Sequence, residues 1–221
     1  MTVARSQLVD VSVTRYYHCI SRCVRRAFLC GEGYEHRKQW IEDRLEALSQ
    51  AFAVSVCGFS VMDNHLHVLA RLDTDDANRW SAEEIVRRWS LAYPRKNAEG
   101  EEIEVSQEWI DDLAKDEQRV ERLRERLASL GWFMKALKEP LARLANKEDG
   151  CQGTFWESRY KSIAILDRLG SDPGVWSERI GRLFSKARLL GSCFTTDRKR
   201  LRDLARERGV HHLDDLAASA A

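Results

Sequence analysis

The hydrophobic pattern of the first third of the chain predicts a strand followed by a helix. Residues 13–20, VTRYYHCI, are rich in the β-branched and aromatic types that favour a strand. Residues 35–52 have apolar side chains at spacings of three and four, which is typical of an amphipathic helix. These side chains are Ile41, Leu45, Leu48 and Phe52.

Two more strands are predicted over residues 54–62 and 65–72, joined by a tight polar turn at Asp63 and Asn64. Strand, helix and hairpin together form the first half of a ferredoxin-like arrangement. The sequence therefore predicts an α+β fold, in which helices pack on an antiparallel sheet.

Beyond residue 73 the pattern predicts mostly helices, over 82–91, 107–129 and 132–146, with a polar loop over 94–104. Pro140 lacks the N–H that bonds back one turn, so it is expected to kink or interrupt the last of these helices.

Two segments complete the prediction for the C-terminal part of the chain. Residues 154–166, TFWESRYKSIAIL, favour a strand. The chain after residue 174 has a helical pattern and ends in an alanine-rich stretch.

The strand over 65–72, HLHVLARL, carries the main chemical candidates. Alternation along a strand directs Leu66, Val68, Ala70 and Leu72 to one face, which is uniformly apolar. His65 and His67 then share the other face, roughly 6–7 Å apart by the strand rise. Two imidazoles at that separation can bind one metal ion, although two histidines in a strand are by themselves a weak signal.

Composition excludes a membrane-spanning protein. The chain has 221 residues, of which 43% are hydrophobic and 32% charged, and no apolar run approaches the length of a bilayer crossing. The first ten residues lack a secretory pattern, so a cytoplasmic location is expected. Six irregularly spaced cysteines without a CxxC pair favour buried thiols over a zinc site.

The net charge is only +1, but basic side chains are clustered. Separated basic patches can bind phosphates even in a nearly neutral protein. The clusters are Arg22, Arg25 and Arg26; Arg159 and Lys161; and Arg198, Lys199, Arg200 and Arg202.

Three segments in this order resemble the REP-associated tyrosine transposases, a branch of the HUH (His-hydrophobe-His) single-strand endonucleases. They read YYHCISRCVRRAFLCGEG, VMDNHLHVLARL and LARLANKEDGCQGTFWESRYKSIAILD. The resemblance covers about residues 14–167, roughly two-thirds of the chain. It implies a nuclease domain over 1–167 with a helical insertion at about 80–147, followed by a helical extension over 168–221.

The resemblance also implies a chemistry. His65 and His67 would hold Mg²⁺ or Mn²⁺ together with a third polar ligand, and a tyrosine would attack the phosphodiester, leaving a covalent 5′-phosphotyrosine. The expected partner is single-stranded or hairpin DNA, contacted by Arg22, Arg25, Arg26, Arg159 and Lys161. We expect no membrane partner, and a homodimer is the candidate oligomeric state.

The chain departs from the family where the attacking tyrosine usually lies. The helix with a Tyr-x-x-x-Asn-Pro-like signature is missing after Asp167, and no tyrosine follows Tyr160. Three readings remain: Tyr160 is the nucleophile, another tyrosine replaces it, or the protein is an inactive transposase derivative that binds DNA. The other tyrosines are Tyr16, Tyr17, Tyr34 and Tyr93.

Further roles remain open between function and packing. Glu157 and Asp63 are the candidates for the third metal ligand, and an ordinary surface carboxylate is the alternative for each. Phe155 and Trp156 are candidates for base stacking, with core packing as the alternative. An unrelated His-x-His metal hydrolase is the remaining functional class, but His18, His36, His211 and His212 supply no further motif for it.

Overall fold

A computed structural model describes residues 9–12 and 14–165 of the chain. The helical extension expected over 168–221, with its basic cluster, lies outside these residues. Among the helices of the described part, none is both long enough and apolar enough to cross a membrane.

The fold is α+β, as the sequence predicts. Four strands form an antiparallel sheet in the order β2-β3-β1-β6. This is the order of a ferredoxin-like sheet, in which the hairpin β2–β3 pairs with β1 and the last strand pairs with the other side of β1. The strands are β1 (Tyr16–Arg22), β2 (Val54–Val61), β3 (His65–Leu72) and β6 (Lys161–Ala164).

Six α-helices and a two-stranded ribbon complete the described part of the chain. The helices are α1 (His36–Ala51), α2 (Thr74–Arg79), α3 (Ala82–Ala92), α4 (Gln107–Ala114), α5 (Glu117–Leu127) and α6 (Leu130–Glu148). The ribbon pairs β4 (Arg95–Lys96) with β5 (Glu102–Ile103), inside the segment predicted as a polar loop.

The hydrophobic core lies between the helices and one face of the sheet. The apolar stripe of α1 is buried as predicted, and it packs in one cluster with apolar side chains of the strands and of α6. The strand residues of this cluster include Tyr17, Cys19, Leu66, Val68 and Ala70. Alternate residues of the same strands face away from this core.

The single helix predicted over 107–129 is wrong, because the structure has two helices there. Asp116 has φ −87° and ψ 87°, outside the helical region, and its carboxylate accepts a hydrogen bond from the N–H of Arg119 at 2.9 Å. Such an N-cap satisfies a backbone donor that has no partner within its own helix, so it starts α5 as a separate helix.

Pro140 does not interrupt the last helix, because α6 runs through the proline from Leu130 to Glu148. A proline at 140 leaves the carbonyl of Ala136 without its intrahelical donor. Arg44 of α1 supplies one instead, since its Nε donates to the Ala136 oxygen at 3.2 Å. A tertiary contact therefore replaces the lost helical hydrogen bond.

The strand predicted over 154–166 is only partly correct. Regular pairing is confined to β6, while residues 154–160 are irregular apart from one isolated bridge between Cys23 and Trp156. The segment favours a strand over its whole length, but only four of its residues pair regularly with β1.

Candidate metal and nucleic-acid site

The burial of β3 follows the predicted alternation. Leu66, Val68, Ala70 and Leu72 are at most 2% exposed, whereas the intervening residues are half-buried. His65 and His67 therefore lie together on the sheet face that points away from the hydrophobic core. Their ring centroids are 4.8 Å apart.

A third histidine, His18 of β1, joins this pair. In the β1–β3 register His67 lies opposite Ile20, which makes His18 its diagonal neighbour on the same face. The rings of His18 and His67 stack at 5.0 Å, and Nε2 of His18 lies 2.8 Å from Nδ1 of His67. We call His18, His65 and His67 the histidine cluster.

The sequence reasoning missed His18 as a member of the site. It searched for histidines in motif spacing, and His18 is 49 residues away from His67 along the chain. The predicted ferredoxin-like strand order could have identified His18, because it pairs β1 with β3 and puts alternate residues of both strands on one face.

Hydrogen bonds at Nδ1 orient the two imidazoles of β3. Nδ1 of His65 lies 2.6 Å from Oδ1 of Asn64, and Nδ2 of Asn64 donates to the carbonyl of Arg26 at 3.2 Å. Since the amide oxygen can only accept, the proton of His65 is on Nδ1 and the lone pair on Nε2. The tautomer of His67 with the same arrangement donates its Nδ1–H to Nε2 of His18.

The cluster is electrically neutral at neutral pH. Burial lowers the pKa of His18, and burial together with the nearby Arg22 lowers the pKa of His65. For His67, burial first and then the neighbouring His18, His65 and Arg22 lower the pKa to about 4. A neutral imidazole is the form whose ring nitrogen binds a metal.

Two neutral imidazoles are donors of a kind that divalent transition-metal ions accept. Fixing a ligating histidine through its other nitrogen is the usual arrangement around protein metal sites. Within residues 9–12 and 14–165 no group of three or more His, Cys, Asp or Glu side chains is arranged to hold an ion. His65 and His67 alone would therefore supply the protein ligands of this part of the chain, with water or phosphate oxygens completing the shell.

Asp63, a candidate third ligand, is engaged elsewhere. Its carboxylate accepts a hydrogen bond from Nζ of Lys38 at 2.7 Å, at the start of α1. Asp63 is only two residues from His65 in the sequence, but its carboxylate forms an ion pair with Lys38.

Glu157, the other candidate, lies beside the end of β1. Its N–H donates to the carbonyl of Arg22 at 2.9 Å, and Arg22 pairs with His65 on its other side. Two strand spacings therefore separate the backbones of Glu157 and His65, about 10 Å. The Glu157 side chain is exposed.

Tyr160 lies on the opposite side of the sheet from the histidine cluster. Its neighbour Lys161 pairs with Ile20 and shares the face of the imidazoles, so alternation directs Tyr160 to the helices. The ring is 6% exposed, belongs to the core, and lines a cavity of about 510 Å³ with Met134 and Lys138 of α6. The structure does not bring Tyr160 to the candidate metal ligands.

The remaining tyrosines occupy different environments. Tyr17 is buried, and its hydroxyl donates to the carbonyls of Asp10 and Thr14. Burial raises the pKa of Tyr93 to about 12. The ring of Tyr34 lies 4.0 Å from the guanidinium of Arg37, and Tyr16 shares the face of His18 on β1. Of the five tyrosines, Tyr16 alone shares the sheet face of the histidine cluster.

Two of the predicted DNA-binding cations share the sheet face of the cluster, and two more lie in the turn after β1. Arg22 lies opposite His65, and Lys161 lies opposite Ile20 on the same face. Arg25 and Arg26 are exposed in a 3-10 turn over Val24–Arg26, with positive φ values of 53° and 57°. Arg159 differs, because it lines the cavity beside Tyr160.

Phe155 and Trp156 are packing residues in this structure. They are 5% and 7% exposed, and Nε1 of Trp156 donates to the carbonyl of Lys138 at 3.0 Å. Neither ring presents a free face on which a base could stack.

No family model matches the chain, and no curated protein is significantly similar to it.

Proposed function

We propose that this chain is a transposase-like protein that binds single-stranded or hairpin DNA, with Mg²⁺ or Mn²⁺ held by His65 and His67. The observation that supports this most directly is the pair of neutral imidazoles on one sheet face. Each has a hydrogen-bond partner at Nδ1, and the tautomer that donates from Nδ1 leaves the lone pair of Nε2 for a metal.

The side chains around the pair suit a nucleic-acid backbone. Arg22 and Lys161 lie on the same sheet face, and the turn of Arg25 and Arg26 is tied to His65 through Asn64. Guanidinium groups bind phosphate oxygens through paired hydrogen bonds. A divalent ion bound beside them would supply the charge that stabilises a phosphate oxygen.

Binding without covalent attack is the form of this function that the geometry favours. Tyrosine-dependent nicking and rejoining needs a phenol beside the metal, and the ring of Tyr160 is buried in the core on the other face. Nicking is retained as the second candidate, because Tyr16 shares the face of the cluster. Either form leaves the role of the histidine pair unchanged.

The binding proposal is tested with a fluorescein-labelled hairpin oligonucleotide and purified full-length protein. We expect Mn²⁺ to tighten binding at least about tenfold in the wild type, a difference of about 1.4 kcal/mol. His65→Ala and His67→Ala should lose this gain. His36→Ala is the matched control, because His36 lies outside the histidine cluster, at the start of α1, and pairs with Glu148.

Anisotropy titrations with Mn²⁺ or with EDTA measure these differences. Equal metal dependence in the wild type and in both cluster variants would refute the metal site. Failure of the wild type to bind any single-stranded or hairpin DNA would refute the function as a whole.

Covalent chemistry is tested by heating the same mixture in denaturant and separating it on a gel. The binding form predicts no protein–DNA adduct. An adduct that disappears in Tyr16→Phe or in Tyr160→Phe would establish the nicking reaction and identify its nucleophile.

A further inference from the structure

The loop over residues 23–30, which we call the basic loop, presents an unexplained aromatic side chain. Phe28 is 67% exposed, the largest value among the exposed large hydrophobic residues of the described part of the chain. Single exposed apolar residues are common on protein surfaces and need no explanation by themselves. Phe28 differs because the loop that carries it is held in place and lies next to the histidine cluster.

Both ends of the basic loop are fixed to the β2–β3 turn. The N–H of Cys23 donates to the carbonyl of Asn64, and the N–H of Cys30 donates to the carbonyl of Asp63, both at 2.8 Å. The side chains of Cys23 and Cys30 are at most 2% exposed. The loop therefore starts and ends beside the residues that precede His65.

The middle of the basic loop is held by side chains from outside it. Asn64 donates to the carbonyl of Arg26, and Nη1 of the buried Arg37 donates to the carbonyl of Leu29 at 3.1 Å. The chain after the loop also passes close to the β2–β3 turn at Gly31. A Cβ added at Gly31 would lie 3.1 Å from the Cβ atoms of both Phe28 and Asp63.

The conformation of the loop carries a cost in free energy. Arg25 and Arg26 both have left-handed φ values, which are unfavourable for an L-residue with a Cβ. Backbone outliers held by surrounding contacts concentrate at functional sites. Here the result is a pair of exposed guanidinium groups and an exposed ring on one short segment.

From these contacts we propose that the basic loop is a preformed site for an unpaired nucleotide, in which the ring of Phe28 stacks on the base while Arg25 and Arg26 bind adjacent phosphates. The inference deepens the DNA-binding function proposed above and depends on it. An unpaired nucleobase is the occupant whose chemistry fits, because it joins an apolar face to a negative backbone. The faces of a duplex base are covered by its neighbours, so the loop selects single strands and hairpin loops.

The experiment compares two oligonucleotides of equal length and charge in the presence of Mn²⁺. One is an oligothymidine, and the other has the same backbone with abasic sites. Stacking of one base on an aromatic side chain is worth about tenfold in affinity. The wild type should therefore bind the oligothymidine about tenfold more tightly than the abasic strand.

Variants of Phe28 separate stacking from general contact. Phe28→Ala and Phe28→Leu should abolish the preference for the oligothymidine while binding of the abasic strand stays the same, and Phe28→Trp should retain the preference. Leu91→Ala is the matched control, since Leu91 is 54% exposed on α3. Thermal melts check that each variant is folded, as expected for a side chain that is mostly in solvent.

The outcomes distinguish this inference from the function on which it depends. An unchanged base preference in Phe28→Ala, with metal-dependent binding intact, would overturn the stacking role and leave the proposed function standing. An equal preference in Phe28→Leu and the wild type would overturn aromatic stacking as the cause. Absence of all binding by the wild type would overturn both.

Discussion

At the residue scale, the contact between His18 and His67 decides which ring nitrogen of His67 carries a lone pair. Their contact joins Nε2 of His18 to Nδ1 of His67 at 2.8 Å. When Nδ1 of His67 donates in this contact, Nε2 of His67 carries a lone pair. When Nε2 of His18 donates instead, the proton of neutral His67 is on its Nε2, and no lone pair is left there. If His67 is a metal ligand, as proposed, His18 is a positioning residue that accepts from Nδ1 of His67 and orients its ring.

Replacing His18 therefore separates hydrogen bonding from ring packing. His18→Phe removes the acceptor and should weaken Mn²⁺ binding about 10–100-fold, the usual effect of losing a partner behind a metal ligand. His18→Gln keeps an oxygen that can accept from Nδ1 and should retain most of the affinity. Electron paramagnetic resonance titration of free Mn²⁺ measures both variants without reference to DNA, and equal affinity in His18→Phe and wild type would contradict the role.

Other residues show how a side chain's surroundings decide its role. Asp63 is two residues from His65 along the chain, yet its carboxylate is bound to Lys38. Phe155 and Trp156 are aromatic residues in a segment with strand propensity, and the structure buries both. Phe28 lies in a loop where no sequence pattern singled it out, and it is 67% exposed.

At the element scale, α6 shows how a helix can run through a proline. The carbonyl of Ala136 loses its intrahelical donor at Pro140 and accepts from Nε of Arg44 instead. Nη2 of Arg44 also donates to the carbonyl of Ala92 at 2.5 Å, at the C-terminal end of α3. One guanidinium therefore satisfies two carbonyls on two helices.

This arrangement predicts a specific coupling between two positions. Arg44→Met should destabilise the fold by about 2 kcal/mol, since it leaves both carbonyls without this donor. Pro140→Ala restores an N–H to the Ala136 carbonyl, so it should stabilise the Arg44→Met protein by about 1 kcal/mol more than it stabilises the wild type. Urea denaturation of the four proteins measures the cycle, and a coupling energy near zero would mean that Arg44 does not replace the missing bond.

At the scale of the whole molecule, Arg37 of α1 connects the basic loop to the C-terminal end of α6. Its side chain is 2% exposed, and Nε donates to Glu148 at 2.8 Å at the C-terminal end of α6. The other guanidinium nitrogens bind Asp149 and the carbonyl of Leu29. The buried cation is thus paired and hydrogen-bonded, which burial requires.

Removing this cation should destabilise the molecule more than removing a surface cation. Arg37→Met leaves Glu148 and Asp149 without their partner and should cost about 3 kcal/mol in the free energy of unfolding. Arg79→Met is the control: its ion pair with Asp76 is exposed at 77% and 56%, and its loss should cost less than about 0.5 kcal/mol. Urea denaturation compares the two changes. Equal losses in the free energy of unfolding would show that the buried ion pairs of Arg37 stabilise the fold no more than an exposed ion pair does.

The sequence by itself determined the features that depend on neighbours along the chain. The stripe of Ile41, Leu45 and Leu48 predicted α1, and the alternation of β3 put His65 and His67 on the face opposite its buried leucines and valine. These features follow from the periods of the helix and the strand, which are properties of the local backbone.

Only the tertiary structure decided which distant residues meet. Strand pairing and register brought His18 to His67, put Tyr160 on the helical side of the sheet, and supplied Arg44 to the carbonyl freed by Pro140. The physical reason is that pairing and packing join segments far apart in sequence, where no local period indicates a partner. For the same reason the motif search found two histidines of the site, and the assembled sheet supplied the third.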